Sequence, residues 1–320
     1  MNASSAPLTF AFLLLATALF LTGCDSLGGG EPGSGTTPGI PEPTLQESPR
    51  WSPDGKTILY YDAGIVNYDP ETKTALHDER MRGIWTMDLE SGRKRKLLEA
   101  YAADWSPDGE AIVFETGAQL YTVRLAGDSV DASTLVRLTP PGGRNHFFPD
   151  WSPNGEWITY DSNTDSPNGM YFVWKVRSDG SERLRIAYAP EMGEVRQPSW
   201  SPDSKTIVHY RYVGVDAPEI FTMNADGSNS VRLTFNRVGE RDPKYSPDGR
   251  TILFSSNGLW VMDADGNNQR QLTTEGAMPD WSPDGRRIVY IGPQQTLWVM
   301  DADGSNRQQL TTRPELGPIE

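Results

Sequence analysis

One five-residue phrase, Trp281-Ser-Pro-Asp-Gly285, limits this chain more than any other feature, because the sequence writes it six times, three of them with one residue changed. The other copies are Trp51-Ser-Pro-Asp-Gly55, Trp105-Ser-Pro-Asp-Gly109, Trp151-Ser-Pro-Asn-Gly155, Trp200-Ser-Pro-Asp-Ser204 and Tyr245-Ser-Pro-Asp-Gly249. Their first residues lie 54, 46, 49, 45 and 36 positions apart, a period that marks a repeat architecture with insertions of differing length. The chemistry is that of a tight turn: Ser first, Pro with its φ preset, Asp or Asn third, and Gly where φ is positive.

Each turn leads into a β-strand with an aliphatic start and a ring, as in Ile58-Leu59-Tyr60, Ile112-Val113-Phe114 and Ile252-Leu253-Phe254; His209 fills the ring position of the fourth unit. A second strand carries Trp85, Tyr121, Trp174, Phe221, Trp260 or Trp298 and usually runs into an Asp-Gly turn. A third ends near Leu97, Leu138, Ile186, Leu233, Leu272 or Leu310. With the short segment ahead of each anchor aromatic, every unit has four strands, the content of one propeller blade. The fold expected is all-β: a six-bladed β-propeller of four-stranded antiparallel blades over residues 45–312, with a C-terminal tail at 313–320. First and last blades are expected to meet flush, without a borrowed strand.

The unit Pro279-Asp-Trp-Ser-Pro-Asp-Gly…Ile288-Val-Tyr…Leu297-Trp-Val-Met-Asp-Ala-Asp-Gly-Ser-Asn…Gln309-Leu-Thr resembles the repeat of the TolB-type propellers, a WD-repeat-like family, over nearly all of 45–312. That resemblance implies a cell-envelope partner, peptidoglycan-associated lipoprotein being one example.

Ahead of the repeats, residues 1–23 carry no charged side chain and hold an apolar run, Leu8 to Leu21, of signal-peptide length. The run ends in Leu21-Thr22-Gly23-Cys24, which resembles the bacterial lipoprotein signal, where the Cys is diacylated after cleavage. Cys24 is the only cysteine, so an internal disulfide is excluded. The other reading is an uncleaved anchor with an incidental Cys. Residues 24–44 are rich in Gly, Pro, Ser and Thr and form a disordered tether. The expected location is the bacterial cell envelope, lipid-anchored, periplasmic or at the outer surface.

A net charge of −14 with no basic stripe disfavours nucleic acid. If the four strands run outward, the Ser-Pro-Asp-Gly turns gather on one face. The irregular pieces, among them 62–83, 140–147, 163–170, 189–197, 213–218 and 235–242, gather largely on the other; 126–133 is the exception. Loops on a rigid scaffold carry binding. At the expected channel mouth stand Glu47, Tyr101, His146, Phe147, Arg196, Gln197, Glu240, Arg241 and Asp242, a mixture of charge, amide and ring suited to a peptide or small polar ligand. A solvated rim without a ligand is the bland alternative.

Asp263-Ala-Asp-Gly-Asn-Asn268 and Asp301-Ala-Asp-Gly-Ser-Asn306 put Gly fourth rather than sixth, so they read as hairpin turns and not calcium loops. His77, His146 and His209 are too dispersed for a metal site. A propeller hydrolase needs a Gly-x-Ser-x-Gly elbow, which the chain lacks. The function expected is therefore a noncatalytic, monomeric, lipid-anchored module that holds an envelope protein, a peptide or a glycan without cofactor or metal. The alternative is a propeller enzyme, a channel lyase or hydrolase, acting on a polysaccharide or peptide.

Overall fold

In a computed structural model, residues 46–312 are described except 70–73, 143–144, 167, 188–192, 214–216 and 237. The expected signal peptide, Cys24, tether and C-terminal tail lie outside the described residues. Six four-stranded antiparallel sheets follow one another, each with its strands in chain order from one edge to the other. The first consists of Gln46–Trp51, Thr57–Asp62, Gly83–Asp88 and Lys94–Leu98, and the last of Ala277–Trp281, Arg287–Ile291, Leu297–Asp301 and Gln308–Gln309. The first strands of the six sheets touch in a closed circle, the sixth returning to the first, so they line the axis. The expected propeller is thus observed, and its ends meet without a strand exchanged between the first and last blades.

The repeated turn is a hydrogen-bonded unit. In the sixth blade the Ser282 hydroxyl donates to Asp284 Oδ1 at 2.6 Å and accepts the Arg287 N–H at 2.9 Å, while Gly285 N–H closes the turn onto the Ser282 carbonyl at 2.8 Å. The other five turns repeat the Ser-to-Asp or Ser-to-Asn bond. Gly55 at φ 71° shows why glycine ends the turn: a Cβ there would be strained and would lie 3.3 Å from Pro283 of the neighbouring blade. In the fourth blade Ser204 takes this left-handed position at φ 59°.

The second strand of each blade is buried on both faces, because blades pack against neighbours on either side. Ile58, Ile112, Ile158, Ile207, Ile252 and Ile288, one per blade, are all 0 % exposed. Alternation divides the labour: Ile58 and Tyr60 pack on the sixth blade, whereas Leu59 and Tyr61 pack on the second. A Leu-Thr pair follows the outer strand, and Thr139, Thr234, Thr273 and Thr311 accept an N–H from the first residues of the third strand in their blades at 2.9–3.1 Å.

Antiparallel pairing places the Ser-Pro-Asp-Gly turns at one end of the axis (the turn face) and the blade-to-blade connections at the other (the loop face). The first-blade insertion, expected as a loop, forms a small hairpin, Ile65–Asp69 with Thr74–His77. The 126–133 exception is a long outer hairpin of the second blade, Gln119–Ala126 with Ser129–Arg137, on the turn face. Asp263–Asn268 and Asp301–Asn306 are hairpin turns: Asn268 and Asn306 donate to Asp263 and Asp301 at 2.6 Å. His209 is a core residue stacked on Phe221 at 5.9 Å, and burial pushes its imidazole down to about 4.

Candidate binding site

The axis is organised by a second repeated phrase, Xaa-Pro-Xaa-aromatic, which ends on the anchor aromatic in five of the six units. It reads Ser48-Pro49-Arg50-Trp51, Phe148-Pro149-Asp150-Trp151, Gln197-Pro198-Ser199-Trp200, Asp242-Pro243-Lys244-Tyr245 and Met278-Pro279-Asp280-Trp281. The innermost strand has no neighbour on its axial side within the blade, so a proline without an N–H is tolerated there. In all five copies the residue before Pro has φ between 50° and 53° and sits where the strand register shifts, a bulge. Such a backbone costs a non-glycine residue roughly 1–2 kcal/mol. At Ser48, Gln197, Asp242 and Met278 a side chain of a neighbouring blade holds the N–H of that residue.

Those bonds form an upper tier around the axis. Asp161 of the third blade accepts Gln197 N–H at 2.9 Å; Gln197 Oε1 accepts Asp242 N–H at 2.9 Å; Asp242 Oδ2 accepts Met278 N–H at 3.2 Å; Met278 Sδ accepts Ser48 N–H at 3.4 Å. Each left-handed residue from the fourth blade to the sixth therefore holds the next one. Asp161 is fully buried, and desolvation raises it to about 7 against the pull of Arg196, whose Nε lies 3.1 Å away.

A lower tier is built from the residue just before each anchor: Arg50, Asp104, Asp150, Ser199, Lys244 and Asp280. Three carboxylates accept the anchor N–H of the following blade: Asp104 from Trp151 at 2.7 Å, Asp150 from Trp200 at 2.9 Å, and Asp280 from Trp51 at 2.9 Å. Lys244 pairs with Asp150, and Arg50 Nε lies 3.7 Å from Asp104. Burial, then the nearby Asp150, pushes the Asp104 carboxyl well above its ordinary range, opposed by Arg50 and Lys244. Burial raises Asp280 as well.

Above the lower tier opens a small funnel, walled by Ser48, Phe148, Gln197, Asp242 and Met278 and floored by Arg50 and Lys244. The second blade has Ala102-Ala103 where the others have Xaa-Pro, makes no bulge and contributes nothing to this wall.

Of the nine residues expected at the mouth, only Gln197 and Asp242 line the funnel. Phe147 packs on Tyr171 at 5.7 Å, and Arg196 lies 4.3 Å over the same ring, a cation–π contact that supports the wall from behind. Tyr101 is exposed on the loop face, where its ring packs at a tilt on Tyr61 and its hydroxyl takes a hydrogen bond from Arg82. Arg241 donates to the Tyr212 hydroxyl at 3.1 Å, and Glu47 is half-buried opposite Tyr61. His146 and Glu240 are each only 1 % exposed and do not reach the mouth. His146 packs edge-on to Tyr160, and burial pushes it down to about 4; Glu240 accepts from Thr234 and Asn236 and is raised by burial, with Glu219 adding to the shift. Reading the residues one and three places ahead of each anchor in register would have found both tiers.

Among the described residues no three His, Cys, Asp or Glu side chains converge to hold a metal ion. The loop face carries exposed apolar side chains instead: Phe235, 76 % exposed, and Val238, 56 % exposed, on the connection between fourth and fifth blades, with Leu76 and Met81 on the first-blade insertion.

Comparison with known proteins matches this architecture. Oligogalacturonate lyase of Vibrio parahaemolyticus shares the fold, at 15% identity with TM-score 0.54, over 81% of this chain and 75% of that one. TolB of Acinetobacter baumannii superposes at 18% identity with TM-score 0.60, over 78% of this chain and 75% of its own. An uncharacterized Agrobacterium fabrum protein, Atu1656, is 30% identical over 228 residues, 68% of this chain and 70% of that protein. The TolB beta propeller domain matches residues 144–316, just over half of the chain. By sequence and by blade construction alike, the chain belongs to the TolB beta propeller family.

Proposed function

We propose that the chain is a noncatalytic binding module of the bacterial cell envelope, anchored through lipid on Cys24, and that its loop face holds a partner protein or peptide. The observation that carries this reading is the funnel, whose rigid wall mixes Phe148 and Met278 with Gln197 and Asp242 and opens on the same end as Phe235 and Val238. Pre-formed concavities with apolar walls and a few fixed polar groups are typical ligand sites. Exposed aromatic and aliphatic side chains near such a site suit a protein partner.

The test is site-specific photocrosslinking in cells that carry the protein. A photoreactive residue at Phe235 or Val238 is expected to capture one partner, while the same residue at Asp203 or Asp265 on the turn face captures none. Equal capture from both faces, or capture from the turn face alone, defeats the reading. An activity like that of oligogalacturonate lyase would be favoured instead if a divalent metal such as Mn²⁺ raised the melting temperature, since a specific site stabilises by mass action.

A further inference from the structure

We propose that a cleft between the first and second blades, toward the turn face, binds one neutral sugar unit. The cleft lies at the opposite end of the axis from the loop-face surface and does not rest on the reading above. It is built by the one insertion that the loop face does not absorb, the outer hairpin of the second blade. The hairpin tip reaches over the first blade, where Asp128 pairs with Arg95 at 2.6 Å and with Arg93 at 3.4 Å, and the Asp128 carbonyl accepts Arg95 Nη1 at 3.1 Å. Beneath the tip lies a cavity of about 140 Å³. One buried water needs only roughly 10–15 Å³, so the space holds several waters, or the ring of one sugar in their place.

The third blade shows what closes such a space. There Trp157 stands where the first blade has Thr57, at the start of the second strand. Its ring lies under Lys175 and Arg177, at 4.4 and 4.3 Å, and packs on the core cluster that holds Trp200 of the next blade. Thr57 is too short to reach across, and Trp105, the anchor of the second blade, is left half-buried in the cleft wall.

The lining selects the chemistry. Its floor is apolar, from Leu97, Trp105 and Leu125, which border the core between the two blades. Its rim sets Arg93 and Arg95 against Asp88 and Asp128, and Thr57 and Thr86 add hydroxyls. Two cations face two carboxylates, so a free ion of either sign gains no net attraction. An apolar ligand would strand these groups from water. A neutral sugar suits both parts: its C–H face lies on the indole and aliphatic floor, while its hydroxyls donate to carboxylates and accept from guanidiniums.

The experiment is saturation-transfer NMR on the purified chain with glucose, galactose, mannose and N-acetylglucosamine, their methyl glycosides, and glucuronate, glucosamine and cyclohexanol as controls. At least one neutral sugar is expected to bind about tenfold tighter than any control, as hydrogen bonds to charged groups allow. Binding of its methyl glycoside as well identifies the end of a glycan, and binding of the free sugar alone identifies a free sugar; both support the site. Thr57→Trp, which copies the third blade, should abolish binding without lowering the melting temperature. Asp128→Ala, a change at an exposed residue, should weaken the neutral sugar about tenfold and raise glucuronate above it, because two guanidiniums lose their partner.

Absence of binding by all four sugars overturns the proposal, as does binding of any control as strongly as the best neutral sugar. Unchanged binding in a folded Thr57→Trp variant overturns it too; if that variant does not fold, unchanged binding in Asp128→Ala has the same force. Partner capture through Phe235 is independent of these outcomes, so the sugar site and the loop-face reading stand or fall separately.

Discussion

Asp280 accepts the backbone N–H of Trp51 at 2.9 Å across 229 positions of sequence, so the last blade is fastened to the first by the same bond that joins the second to the third and the third to the fourth. Ring closure needs no device of its own. Asp280→Ala should therefore destabilise the chain by about 2 kcal/mol, the usual range for a charge-assisted hydrogen bond whose buried donor is left unpaired. Asp280→Asn, which keeps an acceptor oxygen, should lose less. Denaturant unfolding of both variants checks the order.

Glu115 offers a pH signature. It is buried in the second blade, accepts the Ala118 N–H at 2.9 Å, and is raised by desolvation to about 7 from an ordinary 4.5. Between those values the folded chain holds a proton that the unfolded chain has released, so stability from this group is full below about 4.5 and falls as pH rises toward 7. The buried imidazoles of His146 and His209, depressed to about 4, act in the opposite direction, adding stability as pH rises toward 6.5. Glu115→Gln isolates the carboxyl. Melting temperature followed from pH 4.5 to 8 should fall less steeply in the variant than in the wild type; parallel curves would contradict the assignment.

The repeated turns should behave as equal and separable units. Ser282→Ala removes both a donor to Asp284 and the acceptor for Arg287 N–H, at an expected loss of roughly 1–2 kcal/mol. Ser106→Ala, in a turn of the same make, should match it, and the double variant should be close to additive because the two turns share no partner. Calorimetry on the two single variants and the double variant decides the point.

Phe235 and Val238 stand clear of the core, so Phe235→Asp and Val238→Asp should leave stability within about 0.5 kcal/mol of the wild type. Their expected effect is on partner capture. Loss of the crosslinked or co-purified partner with an unchanged melting temperature is the outcome anticipated; unchanged capture in both would move the binding surface elsewhere.

The blades were legible because their determinants are local. Ser282, Pro283, Asp284 and Gly285 form a turn from their own backbone preferences, and Ile288 to Tyr290 follow as a strand whose burial needs only a neighbouring copy of itself. The channel mouth was legible only in part, because a bulge breaks the two-residue alternation along the innermost strand. His146 and Glu240 stand five places ahead of their anchors, where the side chain turns between blades; Gln197 and Asp242 stand three places ahead, where the bulge turns it toward the axis. The ion pairs Arg50–Asp104 and Lys244–Asp150 join residues far apart in sequence, and only the packing of the blades around the axis brings them together.

A ring of six like parts would present an approaching molecule with six equivalent settings, each a sixth of a turn from the next. Ala102-Ala103 helps to remove that degeneracy. With one segment straight and five kinked, and a different side chain at each kink, the mouth has a single rotational identity.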